Sequence, residues 1–206
     1  NHDEQRIASE FFAGNPFKAI PAMVVSACMN TNPVMVYFGQ ELGEAGMDEE
    51  GFSGRDGRTT IFDYWTIDTI RRWRNGGKFD GKLLTKEEKK LQGFYSTLLN
   101  LCNKEKAIRE GVFFDLTYAN LEGIVFNEHK QYAFFRKSGK DLIFIVVNFD
   151  ENPAAPSVKI PTHAFEYLGI PFKENYKAKD LLTGNTETST MAPDQCTQVL
   201  LEGFGA

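Results

Sequence analysis

The run Val34-Met35-Val36-Tyr37-Phe38, with almost wholly apolar side chains, decides the fold class of this 206-residue chain. Such a run, preceded by the helix-breaking pair Asn32-Pro33, is typical of a strand buried on both faces, as in a parallel sheet covered by helices. Ahead of it, apolar residues recur at helical spacing. Pro21 is tolerated only in a first turn, so the helix is expected to begin at Ala19 or Ile20. A helix followed closely by a buried strand is half of a βαβ unit.

The next segment, Gly39 to Leu84, is long, rich in glycine and charged. Acidic residues concentrate in its first half and arginines in its second, and a short helical patch runs from Ile70 to Trp73. Loops of this length are usually functional or disordered in compact domains, and the density of aromatic and Arg residues favours a function. After the loop, Thr85-Lys86-Glu87-Glu88 is a capping box, which predicts a helix that runs to about Lys104.

Beyond Gly111 the pattern changes to short strand-like runs. Val112 to Leu116, Tyr132 to Arg136 and Leu142 to Phe149 are rich in Phe, Ile and Val, and Ser138-Gly139 predicts a hairpin turn between the last two. Helices first and short strands afterwards predict two domains, residues 1–110 and residues 111–206. Further short strands are expected near Val158, Leu181 and Val199.

Composition and charge exclude several classes of function. The chain has 42% hydrophobic and 25% charged residues, which is ordinary for a globular protein, and a net charge of -5. This mild acidic balance argues against a nucleic-acid partner, whose phosphates demand a clustered basic surface. No apolar run approaches the ~20 residues needed to span a bilayer.

The three cysteines, Cys28, Cys102 and Cys196, are widely spaced in the sequence. They form no Cys-x-x-Cys pair, so neither a zinc site nor a redox site is expected. Cys28 and Cys102 lie among apolar residues in helical patterns, and we expect both to pack in the core.

The polar triplet Asn1-His2-Asp3 stands out through its context. A polar triplet upstream of a helix, a buried strand and a long loop is the order found at the C-terminal rim of a (β/α) barrel, where catalytic groups lie. Asn1 to Arg6 resembles the alpha-amylase family motif at the end of the seventh barrel strand. Pro33 to Gly43 resembles the eighth strand of that family, commonly Pro-x-x-x-Tyr-x-Gly-x-Glu-x-Gly. Two motifs in the right order and spacing are more specific than either alone.

The second half of the chain resembles the same family. Tyr132 to Arg136 and Leu142 to Phe149 resemble the hairpin of the family's C-terminal β-sandwich, and Asp180 to Gly184 resembles its late strand and turn. The resemblance covers essentially the whole chain, with residues 45–84 matching only loosely. It implies an α/β plus all-β fold class: the C-terminal part of a (β/α)8 TIM barrel followed by an antiparallel β-sandwich domain.

The resemblance also implies a parent enzyme that hydrolyses α-1,4-glucans, such as starch and maltooligosaccharides, with retention. Retention needs a carboxylate nucleophile and a carboxylic acid about 5 Å apart. Asp3 matches a third family carboxylate, which binds substrate hydroxyls and favours the distorted sugar ring, and His2 matches a histidine that bonds the sugar. The nucleophile and the acid belong to the fourth and fifth strands, which are expected upstream of Asn1. This chain alone is therefore predicted to be inactive, and Glu41 matches a structural residue rather than the missing acid.

Three further residues are candidates for binding the glucan. Tyr64 and Trp65 carry rings that can stack on the apolar faces of sugars. Arg6 can bind substrate or brace the catalytic carboxylates from behind, which would hold Asp3 ionised. For Trp73, packing of its helix is favoured over sugar stacking. Pairing with neighbouring acids is expected for the loop arginines, Arg55 and Arg58.

No cofactor or metal site is expected within the chain, because Asp48, Glu49 and Glu50 lack the alternating spacing of a calcium loop. A calcium site in the parent enzyme would lie upstream. The expected partner is an α-glucan oligosaccharide or polysaccharide, and exposed barrel edges favour self-association. A polysaccharide substrate favours a location outside the cytoplasm. Two alternatives stay open: a transglycosylating or isomerising member of the family, and a non-catalytic fragment or relative that serves as a carbohydrate-binding or structural module.

Overall fold

The computed structural model describes residues 3–47, 54–59, 67–121, 125–173 and 175–206. The chain divides into two compact units by packing. The first comprises Asn1–Ile20 and Val34–Thr97, and the second comprises Pro21–Pro33 and Leu98–Ala206. These units are defined by packing alone, and the domain division into residues 1–110 and 111–206 stays a prediction.

The helices begin and end close to where the local sequence signals place them. Helix α1 begins at Ile20 with Pro21 in its first turn, which confirms the predicted start. The helical patch around Ile70 is confirmed as α2, and the helix predicted after Thr85 is confirmed as α3. The helices are α1 (Ile20–Cys28), α2 (Asp68–Arg74), α3 (Lys86–Lys104), α4 (Lys106–Glu110) and α5 (Thr162–Leu168).

The predicted capping box at the start of α3 is confirmed. The backbone N–H of Glu88 donates to the Thr85 hydroxyl over 3.1 Å, and the backbone N–H of Thr85 donates to the Glu88 carboxylate over 2.8 Å. The same carboxylate binds Arg72 of α2, with Nη2 2.5 Å from Oε1. Burial would raise the pKa of Glu88, but the hydrogen bonds from Arg72 and Thr85 outweigh it and lower that pKa. Glu88 therefore joins α2 to the first turn of α3.

The strand predicted at residues 34–38 is wrong. Residues 33–37 have no regular secondary structure, and Phe38 and Gly39 lie in a turn. Met35 is 74% exposed, so the run is not buried on both faces. A strand exists only when its N–H and C=O groups pair with a neighbouring strand, and no described segment of the first unit is a strand. The apolar run indicates a preference for burial, which does not by itself supply a pairing partner.

The second unit contains antiparallel sheets, and the strands predicted beyond Gly111 are largely confirmed. One sheet has the order β1-β2-β3, and two smaller sheets pair β4 with β7 and β5 with β6. The hairpin between β2 and β3 turns at Gly139, whose positive φ of 57° suits glycine. The strand predicted near Leu181 lies a few residues earlier, because β5 ends at Lys179 and Leu181 lies in the turn between β5 and β6. The strands are β1 (Val112–Asp115), β2 (Gln131–Ser138), β3 (Asp141–Asn148), β4 (Ser157–Lys159), β5 (Tyr176–Lys179), β6 (Thr186–Ser189) and β7 (Cys196–Gln198).

The core of the second unit is shared by the three-stranded sheet, β4 and α5. Phe135 of β2, Val158 of β4 and Phe165 of α5 all belong to it. Burial of such side chains supplies the main favourable free energy of folding, about 25 cal/mol per Å² of apolar surface. Other members of the core are Leu116, Phe126, Ala133, Val146, Ile160, Ala164, Leu168, Ile170, Met191 and Leu201.

Arg136 of β2 is a charged residue inside the second unit, with only 1% of its surface exposed. Its guanidinium donates to three backbone carbonyl oxygens: Met29 over 2.9 Å, Ala107 over 3.2 Å and Ile108 over 2.7 Å. Met29 follows the last residue of α1, and Ala107 and Ile108 lie in α4. The side chain therefore holds two helical segments against the sheet, and its hydrogen bonds offset the cost of burying the charge.

We expect Arg136→Met to lower the free energy of unfolding by about 2–4 kcal/mol, because three backbone carbonyl groups lose a charged donor and two of these bonds are buried. The measurement is urea denaturation followed by circular dichroism. Arg109→Met is the matched control, since Arg109 lies on α4 with its side chain 49% exposed, and it should change stability by about 0.5 kcal/mol or less. Equal effects of the two substitutions would contradict the structural role of Arg136.

Candidate functional site

Arg6 is the centre of the candidate site in the first unit. It is only 4% exposed. Its backbone N–H donates to the carbonyl of Gly57. Its Nε donates to the hydroxyl of Thr59 over 2.9 Å, and its Nη2 donates to the carbonyl of Phe38 over 2.6 Å. Arg6 thus connects the N-terminal stretch to the segment after Tyr37 and to residues 57–59.

Two aromatic rings flank the guanidinium of Arg6. Its central carbon lies 4.1 Å from the ring centroid of Tyr37 and 5.2 Å from that of Phe38. The negative face of an aromatic ring attracts a cation, and the attraction grows when water is excluded. The two rings meet edge to face at 4.8 Å. This packing accounts for an aromatic pair at positions 37 and 38 beside a buried cation.

The charge of Asp3 acts on Tyr37, which indicates that Asp3 lies near the ring that packs on Arg6. Its hydroxyl donates to the carbonyl of Thr59 over 2.9 Å. The pKa of Tyr37 is raised because burial disfavours the phenolate; the Arg6 charge lowers it, and the Asp3 charge raises it. Asp3 itself is exposed. The structure therefore brings Asp3, Arg6 and Tyr37 within electrostatic reach of one another, and we call Asp3, Arg6, Tyr37, Phe38 and Thr59 the Arg6 cluster.

The glycines of the motif after Tyr37 have a conformational explanation. Gly39 and Gly43 flank a 3-10 turn, Gln40–Leu42, and both have positive φ, 78° and 82°. Residues with a side chain rarely adopt this conformation, so the turn requires glycine at both ends. Gln40 donates from Nε2 to the hydroxyl of Tyr95 over 3.1 Å, which anchors the turn on α3. Glu41 lies half-buried in the same turn, and its structural role stays a prediction.

Glu44 is a buried carboxylate that the sequence analysis missed. It is 5% exposed. Its Oε1 accepts from the backbone N–H of Gly46 over 2.8 Å, and its Oε2 accepts from the hydroxyl of Thr69 over 2.9 Å. Gly46 has a positive φ, and a side chain there would meet the backbone of Gly57 at 2.6 Å. The sequence feature that could have predicted this burial is a Glu between two glycines, Gly43 and Gly46. A tight turn can direct such a side chain into the protein.

Three of the predicted site residues, His2, Tyr64 and Trp65, lie outside the described residues, and their roles stay predictions. Binding of substrate by Arg6 also stays a prediction, and the hydrogen bonds described above join it to protein atoms.

Trp73 and Arg58 follow the structural expectations. Trp73 is half-buried and packs edge to face against Phe79, with ring centroids 5.3 Å apart. Arg58 pairs with Asp56, with Nη2 2.6 Å from Oδ2, which confirms that expected ion pair. Among the described residues, no group of three His, Cys, Asp or Glu side chains is arranged to hold a metal ion. In the same part of the chain, no helix has both the length and the apolar character to cross a membrane.

A second candidate surface lies entirely within the second unit, and we call it the Phe114 cleft. It is open, with a volume of about 730 Å³, within the ~300–1,000 Å³ range of small-molecule sites. Phe114 packs against the rings of His163 and Tyr167, at centroid distances of 5.6 Å and 5.8 Å. The hydroxyl of Tyr118 hydrogen-bonds Nε2 of His163. The cleft is lined by Phe113, Phe114, Asp115, Tyr118, His163, Glu166 and Tyr167.

Comparison with known proteins bears on the fold. No family model matches the sequence, and no curated protein matches it. Three solved structures are similar to the chain over nearly all of its length. They are AmyP in complex with maltose (19% identity, TM-score 0.61, covering 100% of this chain and 38% of that chain), the maltogenic alpha-amylase AmyB from Thermotoga neapolitana (12%, 0.60, 98% and 37%), and isomaltulose synthase from Erwinia rhapontici (17%, 0.51, 99% and 40%).

These similarities establish the fold. The chain has the fold of the C-terminal portion of alpha-amylase-family enzymes, with helices followed by antiparallel sheets. The predicted fold class is therefore confirmed. The chain spans 38% of the length of AmyP.

The proximity of Asp3 to Tyr37 can be tested by titration. We expect Asp3→Asn to lower the pKa of Tyr37, because the Asp3 charge opposes ionisation of the phenol, and Arg6→Gln to act in the opposite direction. The measurement is NMR of the chain labelled with ¹³C on tyrosine, titrated at alkaline pH, with circular dichroism as a check of folding. Glu10→Gln, which removes an exposed charge of the same unit, should leave the pKa of Tyr37 unchanged. A Tyr37 pKa unaffected by Asp3→Asn would exclude the proposed proximity.

Proposed function

We propose that this chain is part of a retaining glycoside hydrolase that acts on α-1,4-glucans such as starch and maltooligosaccharides. The observation that carries the proposal is an exposed carboxylate, Asp3, beside the buried Arg6 and Tyr37, in a chain with the fold of the C-terminal portion of alpha-amylase-family enzymes. In this proposal the nucleophile and the general acid come from a segment that precedes Asn1.

Asp3 is the transition-state-stabilising group of the proposed site. Positive charge develops on the sugar ring as the glycosidic bond breaks. A carboxylate that accepts hydrogen bonds from the substrate hydroxyls binds this species more tightly than the ground state, because charge-assisted hydrogen bonds strengthen as the ring becomes positive. His2 is proposed to bond the same sugar.

Arg6 is proposed as a positioning residue. A guanidinium held by Thr59 and Phe38 supplies a fixed positive charge close to Asp3 and Tyr37. Such a charge attracts a nearby carboxylate, and this attraction is the positioning role proposed for Arg6. Contact of Arg6 with substrate, as the sequence pattern suggests, would need a donor beyond those used by the protein bonds. Tyr64 and Trp65 remain the proposed stacking residues.

The reaction subtype within this proposal depends on the acceptor to which the glycosyl group is transferred. The similar structures include a maltogenic alpha-amylase and an isomaltulose synthase, and thus more than one outcome on one fold. Transfer to water gives hydrolysis, and transfer to a sugar hydroxyl gives transglycosylation or isomerisation. Product analysis of the full-length parent on starch, pullulan and maltooligosaccharides distinguishes these outcomes.

A second candidate function is carbohydrate binding by the second unit, and the Phe114 cleft favours it. Tyr118 and Tyr167 are 45% and 67% exposed, so their rings are available to the apolar face of a sugar. Asp115 and Glu166 line the same cleft and can accept hydrogen bonds from sugar hydroxyls. Exposed rings and carboxylates in one cleft are a suitable combination for binding a glucose residue.

Self-association stays a prediction. The first unit carries exposed apolar side chains at Phe11, Phe12 and Met35. Exposed apolar surface of this kind favours association with another surface.

For the parent enzyme, we expect Asp3→Asn to lower kcat by about 10²-fold or more without loss of folding, because it removes charge stabilisation needed only in the transition state. The neighbouring exposed acid gives a matched control, Glu4→Gln, which should stay close to wild type. The 206-residue chain alone should release no nitrophenol from nitrophenyl maltoside. A rate for Asp3→Asn within about threefold of wild type would remove Asp3 from this role, and turnover by the chain alone that Asp3→Asn abolishes would contradict the need for an upstream segment.

For the second unit, we expect the chain to bind maltoheptaose, and Tyr167→Ala to weaken that binding by about fivefold, since one stacking ring is lost. Isothermal titration calorimetry measures the affinity. Phe172→Ala is the control, because Phe172 is a similarly exposed ring, 65% exposed, that does not line the cleft. Binding that is unaffected by Tyr167→Ala, or weakened equally by Phe172→Ala, would locate the sugar elsewhere.

A further inference from the structure

Two thiols that are distant in sequence lie in contact inside the second unit. Cys28 is the last residue of α1, and Cys102 lies in the last turn of α3. Their sulfur atoms are 3.9 Å apart, and Sγ of Cys102 also lies 3.6 Å from the carbonyl oxygen of Ala27. Both are free cysteines. The absence of a Cys-x-x-Cys pair predicted no redox site, but these two cysteines are brought together from distant parts of the sequence.

We propose that Cys28 and Cys102 are an oxidative modification site, at which a low-molecular-weight disulfide such as glutathione disulfide converts the two thiols into an intramolecular disulfide. The inference rests on the position of the thiols and is independent of the proposed glucan chemistry.

The reaction balances as two successive thiol–disulfide exchanges. The Cys102 thiolate attacks one sulfur of glutathione disulfide, which forms a mixed disulfide and releases one glutathione thiolate. The Cys28 thiolate then attacks the Cys102 sulfur, which forms the Cys28–Cys102 bond and releases the second glutathione. Two thiols are oxidised, one disulfide is reduced to two glutathiones, and the two protons lost by the cysteines pass to the released thiolates.

The environment of each thiol indicates which of the two exchange steps it carries out. Cys102 is half-buried and Cys28 is 2% exposed, so the external disulfide reaches Cys102 more readily. The hydrogen bond with Cys28 lowers the pKa of Cys102, whereas the same bond and burial raise the pKa of Cys28. The charge of Arg136 acts on Cys28 in the opposite sense and favours its thiolate. Cys102 is therefore the attacking thiol, and Cys28 resolves the mixed disulfide from inside.

Closure of the bond requires a small movement. A disulfide has a sulfur–sulfur distance of about 2.05 Å, so the atoms must approach by roughly 2 Å from their separation of 3.9 Å. The bond would close a long loop, from residue 28 to residue 102. Cross-linking a long loop restricts the unfolded chain more than a short one, which stabilises the folded state.

The test treats the folded 206-residue chain with glutathione disulfide at about pH 8, where thiolate attack is efficient, and follows free thiols, intact mass and melting temperature. In the Cys196→Ser variant, we expect both remaining thiols to disappear, a mass lower by two hydrogens, and a peptide map that joins Cys28 to Cys102. In the wild-type chain the exposed Cys196 additionally forms a mixed disulfide with glutathione, which adds one glutathionyl group to the mass. The melting temperature should rise by about 5–15 °C and return to its starting value on reduction.

Cys196 supplies the matched control, because it is exposed and lies apart from the pair. Cys196→Ser should leave the internal disulfide and the stabilisation intact, whereas Cys28→Ser should stop the reaction at the mixed disulfide on Cys102. Retention of both internal thiols, a mixed disulfide on Cys102 that never resolves in the wild-type chain, or a peptide map that joins Cys196 to either partner would overturn the proposal. None of these outcomes depends on sugar binding or hydrolysis, so failure here is distinct from failure of the proposed function.

Discussion

Burial of the Arg6 guanidinium is the constraint on which the candidate site depends. A charge removed from water is costly unless its donors are satisfied, and Nη2 and Nε of Arg6 donate to the Phe38 carbonyl and the Thr59 hydroxyl while Tyr37 covers the charge. Because two of these groups belong to segments far away in sequence, satisfying one side chain fixes the relative positions of three segments. Asp3, three residues ahead of Arg6, is thereby carried to the neighbourhood of Tyr37.

The second unit also contains a buried arginine whose donors hold backbone segments in place. Arg136 is buried in a sheet, and its donors are met by carbonyl groups at the end of α1 and within α4. The carbonyl of Met29 follows directly after Cys28, so the bond from Arg136 also fixes where that thiol lies. The contact between Cys28 and Cys102 therefore lies beside a helix end that a buried cation holds. In both units an arginine organises backbone through its several donors, which a single ammonium group could not match.

Local signals could be predicted from the sequence, and non-local ones could not. The capping box at Thr85, the proline at the start of α1 and the glycine of the β2–β3 turn each act within a few residues, and each was found in the structure. The strand predicted at residues 34–38 failed because pairing needs a partner from elsewhere in the chain. The burial of Glu44 and the assembly of the Phe114 cleft were missed for the same reason. Phe114, Tyr118 and Tyr167 come from a strand, a 3-10 turn and a helix that only tertiary packing brings together.

The contrast in burial between Asp3 and Arg6 bears on how such a site can work. Arg6 is 4% exposed, so water solvates its charge only weakly. The effect of this charge on neighbouring groups is therefore screened less than that of a surface charge. Asp3 is exposed, which is compatible with its proposed contact with a ligand. In the proposed site, a fixed cation near an exposed carboxylate would reduce the reorganisation needed when charge develops on the ligand. Lysine at position 6 would carry the same charge, but its single ammonium group could not bind Thr59 and the Phe38 carbonyl with the fixed geometry of a guanidinium. The geometry of the donors, as much as the sign of the charge, therefore makes position 6 specific for arginine.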